Sequence, residues 1–255
     1  MSHSIAVSHS TPDLQMAADH LSQQLQLPIA ALQTTAYNYL LTLTPERLEL
    51  RSTHQRSWTP LFVDFQSSSH QYRQHRGGGK NQLIAKAVGI KTANKPTIWD
   101  LTAGLGGDGF VLATLGCPVT LFERSPIIGA LLKDGLDRAY NALLITPDEL
   151  HLINSDASAY LSPTNTLARP DVIYYDPMFC PTKKSALVKK DMRILRDIVG
   201  NDDDSQTLVQ AALRHAQRRV VVKRARHAPL LTNHPPDVQY NGQRCRYDVY
   251  FNHTL

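Results

Sequence analysis

Residues 97–109 read Thr-Ile-Trp-Asp-Leu-Thr-Ala-Gly-Leu-Gly-Gly-Asp-Gly, a short apolar run followed by a glycine-rich turn. Gly104, Gly106 and Gly109 satisfy the spacing G-x-G-x-x-G. Glycines at this spacing let the backbone turn tightly from a strand into a helix and pass close to a ligand. We therefore predict a strand over 97–99 and a helix that follows this turn through Leu115. The spacing alone is a weak indication of function.

The chain on both sides of this turn alternates between strand and helix patterns from Gln82 onward. Such alternation predicts an α/β fold with a doubly wound, mostly parallel sheet. Asn241-Gly242, between two alternating runs, predicts that the sheet ends in an antiparallel hairpin. Besides 97–99, the predicted strands are 119–122, 150–153, 172–175, 219–223, 238–240 and 245–251, and the further predicted helices are 126–139, 184–199 and 205–217.

The first 70 residues have a different pattern. Thr11 and Pro12 precede a helical spacing of apolar residues over 14–25, and strand-like runs follow at 37–43, 47–51 and 61–65. We therefore predict two domains: a small α+β module over residues 1–70 and the α/β domain over residues 71–255. Residues 66–80 have the composition of a loop.

Composition excludes several classes of protein. No apolar run approaches the roughly 20 residues that a membrane helix needs, and the N-terminus lacks the pattern of a secretory signal. The three cysteines are widely separated and without C-x-x-C spacing, which indicates neither a disulfide framework nor a metal site. We expect a reduced, cytoplasmic protein that binds no metal and no membrane.

Acidic residues follow four successive predicted strands: Asp100, Glu123, Asp156 and Asp176. Parallel strands end at one edge of a sheet, and open α/β sheets bind ligands at that edge. Glu123 could accept hydrogen bonds from ribose hydroxyls. Asp156 could accept from an adenine amino group beside the small Ala157, or it could simply cap the helix that follows.

Two of the acids bear on which ligand the glycine turn binds. Asp100 could engage the cationic amino-acid end of S-adenosylmethionine, whereas it would repel a pyrophosphate. Asp108 lies at the start of the helix, where the phosphates of a dinucleotide would otherwise sit. These residues favour S-adenosylmethionine over NAD, although the position of Glu123 suits both.

Asp176-Pro177-Met178-Phe179 follows the apolar run 172–175. A carboxylate at the mouth of a buried strand can accept hydrogen bonds from a planar exocyclic amine, and an aromatic ring can stack on the base that carries it. Asp176, Pro177 and Phe179 are therefore the predicted catalytic residues for methylation of a nucleobase amine.

A basic segment comes directly after this motif. Between Pro181 and Arg226 the chain has 12 lysines and arginines against 5 aspartates, which is typical of a surface that faces phosphates or of two solvated helices. The candidate phosphate contacts are Arg193, Arg196, Arg214, Arg218, Arg219, Lys223 and Arg224.

These motifs together resemble the bacterial RsmJ family of S-adenosylmethionine-dependent methyltransferases, which act on guanine N2 in 16S ribosomal RNA. The resemblance covers about residues 70–251 and implies a class I methyltransferase-like sheet, with 16S rRNA or the small ribosomal subunit as partner. Cys180 stands where the family usually has proline, Gly107 where it often has arginine, and Asp156 where it often has serine. The segments that carry the resemblance are 77–80, 85–91, 100–110, 121–126, 176–179 and 184–190, and the cofactor contacts that it implies are Gly107, Asp108, Glu123, Arg124, Asp156, Ala157 and Asp176.

Three hypotheses follow. The first is an rRNA (guanine-N2)-methyltransferase whose cofactor site also includes Asp100, Gly104 and Gly106. The second is an NAD-dependent oxidoreductase, which the glycine spacing allows but which leaves Asp176–Phe179 without a role. The third is a non-catalytic RNA-binding assembly factor.

Overall fold

The computed structural model describes residues 5–55, 57–66, 82–91, 95–162, 168–177, 190–199 and 205–252. They form two sheets, one of three strands and one of seven. No helix in this part of the chain is both long and apolar enough to cross a membrane.

The three-stranded sheet belongs to the N-terminal segment. Its strands are β1 (Ile5–His9), β2 (Tyr39–Leu43) and β3 (Leu48–Ser52), and β2 pairs in parallel with β1 and antiparallel with β3. Helix α1 (Gln15–Leu25) connects β1 to β2 and confirms the helix predicted over 14–25. Strand β1 was not predicted. The strand predicted over 61–65 is wrong, since among these residues only Leu61 forms a β-bridge, to Leu50.

The seven-stranded sheet has the order β6-β5-β4-β7-β8-β10-β9. Strands β4 to β8 run parallel, and β10 runs antiparallel between β8 and β9, which confirms the predicted fold class and C-terminal hairpin. The strands are β4 (Ile98–Asp100), β5 (Val119–Phe122), β6 (Leu150–Ile153), β7 (Val172–Tyr175), β8 (Arg219–Ala225), β9 (Val238–Asn241) and β10 (Cys245–Phe251).

Helices connect these strands and cover the sheet. They are α2 (Leu83–Val88), α3 (Gly107–Thr114), α4 (Pro126–Asn141), α5 (Lys190–Val199) and α6 (Ser205–His215). The first part of the predicted helix 184–199 lies outside the described residues, and so does Gly77-Gly78-Gly79-Lys80.

Strand β4 marks the point at which the strand order reverses. Its two neighbours are β5 and β7, so the chain builds the sheet outward in one direction through β6 and in the other from β7 onward. Loops that leave the two halves diverge at this point and open a crevice at the edge where the parallel strands end, which we call the carboxyl edge.

The N-terminal segment packs on the helices beside β4. The ring of Phe65 stacks on Phe110 of α3 with a centroid distance of 4.4 Å. A Cβ added at Gly135 of α4 would lie 2.4 Å from Val63, so the glycine permits this close approach. Residues of both sheets thus share one hydrophobic core. The predicted domain boundary at residue 70 lies outside the described residues and stays a prediction.

We expect Phe65→Ala to lower the free energy of unfolding by about 3–5 kcal/mol, because it removes a buried aromatic side chain from the contact between the N-terminal segment and α3. Urea denaturation measures this change. Met16→Ala is the control, since Met16 is 84% exposed and its truncation should change stability by less than about 0.5 kcal/mol. Equal effects of the two substitutions would contradict the packing described for Phe65.

Candidate active site

A cavity of about 310 Å³ opens at the carboxyl edge, where the strand order reverses. Its wall comes from the loops after β4, β5, β6 and β7, with Lys223 of β8 and apolar side chains of α5 and α6. The predicted site residues on the wall are Asp100, Gly104, Gly107, Asp108, Glu123, Arg124, Asp156, Ala157 and Asp176.

The glycine turn shapes one side of this cavity. Gly104 has a φ of 54°, and a Cβ added to it would have no atom within 4 Å. The backbone there is thus open to a ligand, whereas any other residue would be strained and would fill the space. Gly106 has a φ of 76° and packs against Leu132 and Phe65, so it supports the turn from behind and does not line the cavity.

Glu123 fixes the turn to the neighbouring strand. Its Oε2 accepts a hydrogen bond from the backbone N–H of Gly104 at 2.9 Å, and its Oε1 accepts from the N–H of Ser125 at 2.8 Å. The carboxylate is buried yet borders the cavity. It can therefore hold the loop and still face a ligand in the position predicted for a ribose acceptor.

Asp156 caps the helix that follows it and also lines the cavity. Its Oδ1 accepts from the backbone N–H of Ser158 at 2.8 Å and so caps a short 3₁₀ helix, Ala157–Tyr160. The hydrogen bond from the Ser158 side chain, together with nearby Arg124, holds the pKa of the Asp156 carboxyl below its ordinary value. Asp156 is therefore an anionic acceptor on the cavity wall.

A partly buried lysine joins two acids that lie far apart in the sequence, Asp108 and Asp176. The Nζ atom of Lys223 lies 2.7 Å from Oδ2 of Asp108 and 2.7 Å from Oδ2 of Asp176. The hydroxyl of Tyr174 donates to the same oxygen of Asp108 at 2.7 Å, and the backbone N–H of Asp176 donates to Oγ1 of Thr102 at 2.8 Å. These contacts fix Asp176 at the mouth of β7.

The charge of this cluster is set by burial and by its neighbours. Burial lowers the pKa of Lys223, but the carboxylates of Asp176 and Asp108 raise it to a net value above the ordinary one, so the lysine is cationic. Burial raises the pKa of Asp100 to about 8, against the hydrogen bond from the Thr102 N–H. Asp100 therefore holds a proton at neutral pH.

Lys223 is the functional residue that sequence reasoning assigned to the wrong role. It was predicted as an rRNA phosphate contact, but it lies in the cavity between two acids. The available signal was the one used for the acids, namely a polar residue at the carboxyl end of an apolar run, 220–222. Thr102 and Tyr174 were also missed.

Other predicted phosphate contacts have structural roles. Arg219 donates to the backbone oxygen of Ala87 at 3.1 Å, and the buried Arg224 donates to that of Pro229 at 2.7 Å. Arg214 and Arg218 lie just before β8, at the edge opposite the cavity, which argues against a direct contact with a substrate bound there.

Apart from Asp176, only Pro177 among the residues singled out in and around the catalytic motif can be compared with the structure. Pro177 is buried and does not line the cavity. Phe179 and Cys180 lie outside the described residues, and so do the side chains of Arg193 and Arg196.

The cavity suits a cationic ligand with ribose and adenine better than a dinucleotide. A pyrophosphate at the start of α3 would meet the carboxylates of Asp108 and Asp176, which would repel it. A sulfonium or ammonium group would be attracted by the same pair, and the apolar wall formed by Leu195, Val199 and Leu208 suits an uncharged part of a ligand. The described residues hold no group of His, Cys, Asp or Glu that could bind a metal ion.

The order of the strands, the antiparallel β10 and the acid-lined glycine turn define a class I S-adenosylmethionine-dependent methyltransferase. Comparison with known proteins agrees, since residues 20–252 match the family described as "Putative SAM-dependent methyltransferase".

Similar proteins identify the particular methyltransferase family to which the chain belongs. The ribosomal RNA small subunit methyltransferase J of Coxiella burnetii is 49% identical over 98% of this chain and 98% of its own length. The protein of the same name from Thioalkalivibrio sulfidiphilus is 44% identical over 96% and 97%. A crystal structure of a SAM-dependent methyltransferase from Neisseria gonorrhoeae superposes with a TM-score of 0.74 at 32% identity, covering 98% of this chain and 97% of that one. The chain therefore belongs to the ribosomal RNA small subunit methyltransferase J family, as its motifs indicated, and not to the NAD-dependent oxidoreductases.

The raised pKa of Asp100 has a consequence for stability. Its pKa rises from 3.8 to about 8 on folding, so the folded state holds a proton that the unfolded chain has released between these two values. Its contribution to the free energy of unfolding is complete below pH 3.8 and is lost as pH rises towards about 8, by up to about 1.4 kcal/mol per pH unit.

We therefore expect the free energy of unfolding of the wild type to fall relative to that of Asp100→Asn as the pH rises from about 5 to 8, because the variant lacks the titrating group. Urea denaturation of both proteins at several pH values in this window measures the difference. A difference that stays constant with pH would mean that Asp100 is ionised throughout.

Proposed function

We propose that this chain transfers the methyl group of S-adenosylmethionine to the exocyclic N2 of a guanine in 16S rRNA, in the cytoplasm. The name of the relatives supports a substrate in the small ribosomal subunit. The observation that carries the chemistry is the position of Asp176, whose carboxylate lies at the cavity mouth and is fixed by Lys223 at 2.7 Å.

The cofactor would occupy the cavity beside the glycine turn. Gly104 and Gly107 would give its amino-acid part access to the backbone, with Asp108 and Asp100 beside the cationic end. Glu123 would accept from the ribose hydroxyls and Asp156 from the adenine amino group, with Ala157 and Arg124 completing the wall. Gly106 would act indirectly, by holding the turn.

When bound, S-adenosylmethionine supplies an electrophilic methyl group. Asp176 has the complementary task of binding the amine. The lone pair of an exocyclic amine on guanine is delocalised into the ring, so the nitrogen is a poor nucleophile. A carboxylate that accepts a hydrogen bond from this amine increases the electron density on the nitrogen and fixes the orientation of the amine.

Formation of the new N–C bond requires the amine to lose a proton. The carboxylate of Asp176 can accept this proton. Lys223 donates hydrogen bonds to both Asp108 and Asp176 and so partly neutralises their negative charge. Binding the amine and the methyl donor side by side also increases the rate, because the reaction between two bound reactants is effectively unimolecular. The stacking role proposed for Phe179 concerns a residue outside the described part of the chain.

The rival hypothesis of a non-catalytic assembly factor predicts RNA binding without methyl transfer. The decisive experiment incubates the protein with labelled S-adenosylmethionine and small subunits from cells that lack it, followed by digestion of the rRNA and identification of the methylated nucleoside. We expect N2-methylguanosine. A product methylated at another atom would overturn the proposed target atom, and no product from a folded, cofactor-binding protein would support the assembly factor.

We expect Asp176→Ala to lower the rate of methyl transfer by about 10²–10³-fold, because it removes the acceptor for the substrate amine. Asp137→Ala is the matched control, since Asp137 is an exposed acid on α4 that pairs only with Lys133 in the described contacts. Circular dichroism and thermal melting check that both variants fold. A rate for Asp176→Ala within about threefold of the control would remove Asp176 from the mechanism.

Lys223→Met should move the acid limb of the pH–rate profile to higher pH by about 1–3 units, because the carboxylates of Asp108 and Asp176 then lose the cation that lies 2.7 Å from each of them. Lys223→Arg should restore most of the profile, and Lys133→Met, on an exposed surface, should leave it in place. A lower rate with an unshifted profile would show that Lys223 supports the fold only and does not set the charge of the site.

A further inference from the structure

The loop after β8 is held in shape by a buried arginine of β10. The Nη1 atom of Arg246 donates to the backbone oxygens of Arg226 at 2.8 Å and Ala228 at 2.7 Å, and its Nε donates to Oδ1 of Asp248 at 2.9 Å. Arg246 is only 6% exposed. The buried guanidinium group of Arg246, paired with Asp248 on the same strand, thus fixes the backbone of the first turn of this loop.

Two further contacts hold the rest of the loop. The buried side chain of Arg224 donates to the backbone oxygen of Pro229 at 2.7 Å. Thr232 donates to the backbone oxygen of His234 at 2.7 Å and lies 3.0 Å from the hydroxyl of Tyr250. The loop is therefore fixed at its start, its middle and its end without any regular secondary structure.

This fixed loop exposes basic side chains. Arg226 and His227 are exposed, and the backbone N–H of Arg226 donates to the oxygen of Arg244, an exposed residue in the turn between β9 and β10. Neither 225–236 nor 241–246 contains an aspartate or glutamate. We call the exposed face of Arg226, His227 and Arg244 the basic rim.

The basic rim lies at the same edge of the sheet as the cavity. Arg226 follows Lys223 by three residues and lies just past the end of β8, so the Cα atoms of the two residues are at most about 10 Å apart. Arg244 is held beside Arg226 by the backbone hydrogen bond of 3.1 Å. Two exposed arginines therefore lie at the carboxyl edge, on the β8 side of the mouth at which Asp176 is fixed.

We propose that the basic rim binds backbone phosphates of the rRNA next to the target nucleotide; this rests on the proposed function and specifies where the substrate lies. Arginine binds phosphate through paired N–H donors, and an anchored loop loses little freedom on binding. The buried arginines Arg224 and Arg246 act as positioning residues, since they contact the loop and not the RNA.

The double variant Arg226→Ala/Arg244→Ala tests this proposal by its affinity for a 16S rRNA transcript as a function of salt. Each phosphate contact contributes roughly 0.7–0.9 to the slope of log K against log salt, so we expect the slope to become shallower by roughly 1.5. Arg214→Ala is the matched control, because Arg214 is an exposed arginine in the same half of the chain but at the opposite edge of the sheet.

Calorimetry with S-adenosylmethionine checks that the double variant keeps the fold of the site. If the double variant and Arg214→Ala show the same slope as the wild type, the basic rim does not contact phosphate. If Arg214→Ala alone has the shallower slope, the RNA lies on the other edge. Failure of the wild type to methylate rRNA would instead count against the proposed function, and it would leave the binding measurement to decide the basic rim.

Discussion

The site depends on one lysine shared by two carboxylates. Without Lys223, Asp108 and Asp176 would lie close together in a partly buried cavity with no counter-ion, which is costly because charges taken from water need a partner. With the lysine present and Asp100 protonated, this cluster keeps a net charge of about −1. Such a pocket attracts a cation without excluding every anion from its surroundings, which suits a sulfonium cofactor and a nucleic-acid substrate at the same edge.

The rest of the fold serves to keep that cluster in place. Asp108 is positioned by the start of α3, which in turn depends on the left-handed turn at Gly106 and on the packing of Phe65 behind it. Glu123 ties the open end of the turn to the strand beside it. The N-terminal segment therefore contributes to the cofactor side of the site although none of its described residues lines the cavity, because it supports the turn from behind.

Strong local patterns made most of the sheet predictable. The predicted bounds of β5, β6 and β7 coincide with the structure, since short apolar runs bounded by turn residues leave little freedom. Strand β1 was missed because Ile5–His9 is a short run that ends in two polar residues, Ser8 and His9, so its local pattern is weak. Arginines and lysines were the hardest to assign. Composition alone cannot separate a buried arginine such as Arg224 from an exposed one such as Arg226, since what distinguishes them is that Arg224 lies within β8 under the following loop and Arg226 lies just past the end of the strand.

The arrangement of charge also resolves a conflict inherent in methylating a base within a polyanion. Acids are needed inside the cavity to hold a cationic donor and to accept from an amine, yet unscreened acids would repel the phosphates on either side of the target base. Lys223 and the proton on Asp100 reduce the charge inside, while Arg226 and Arg244 place positive charge on the rim. The base can then enter an acidic pocket while its backbone stays on a basic surface. Arg224 and Arg246, which hold the loop of the basic rim, and Lys223 in the cavity therefore contribute to the same distribution of charge.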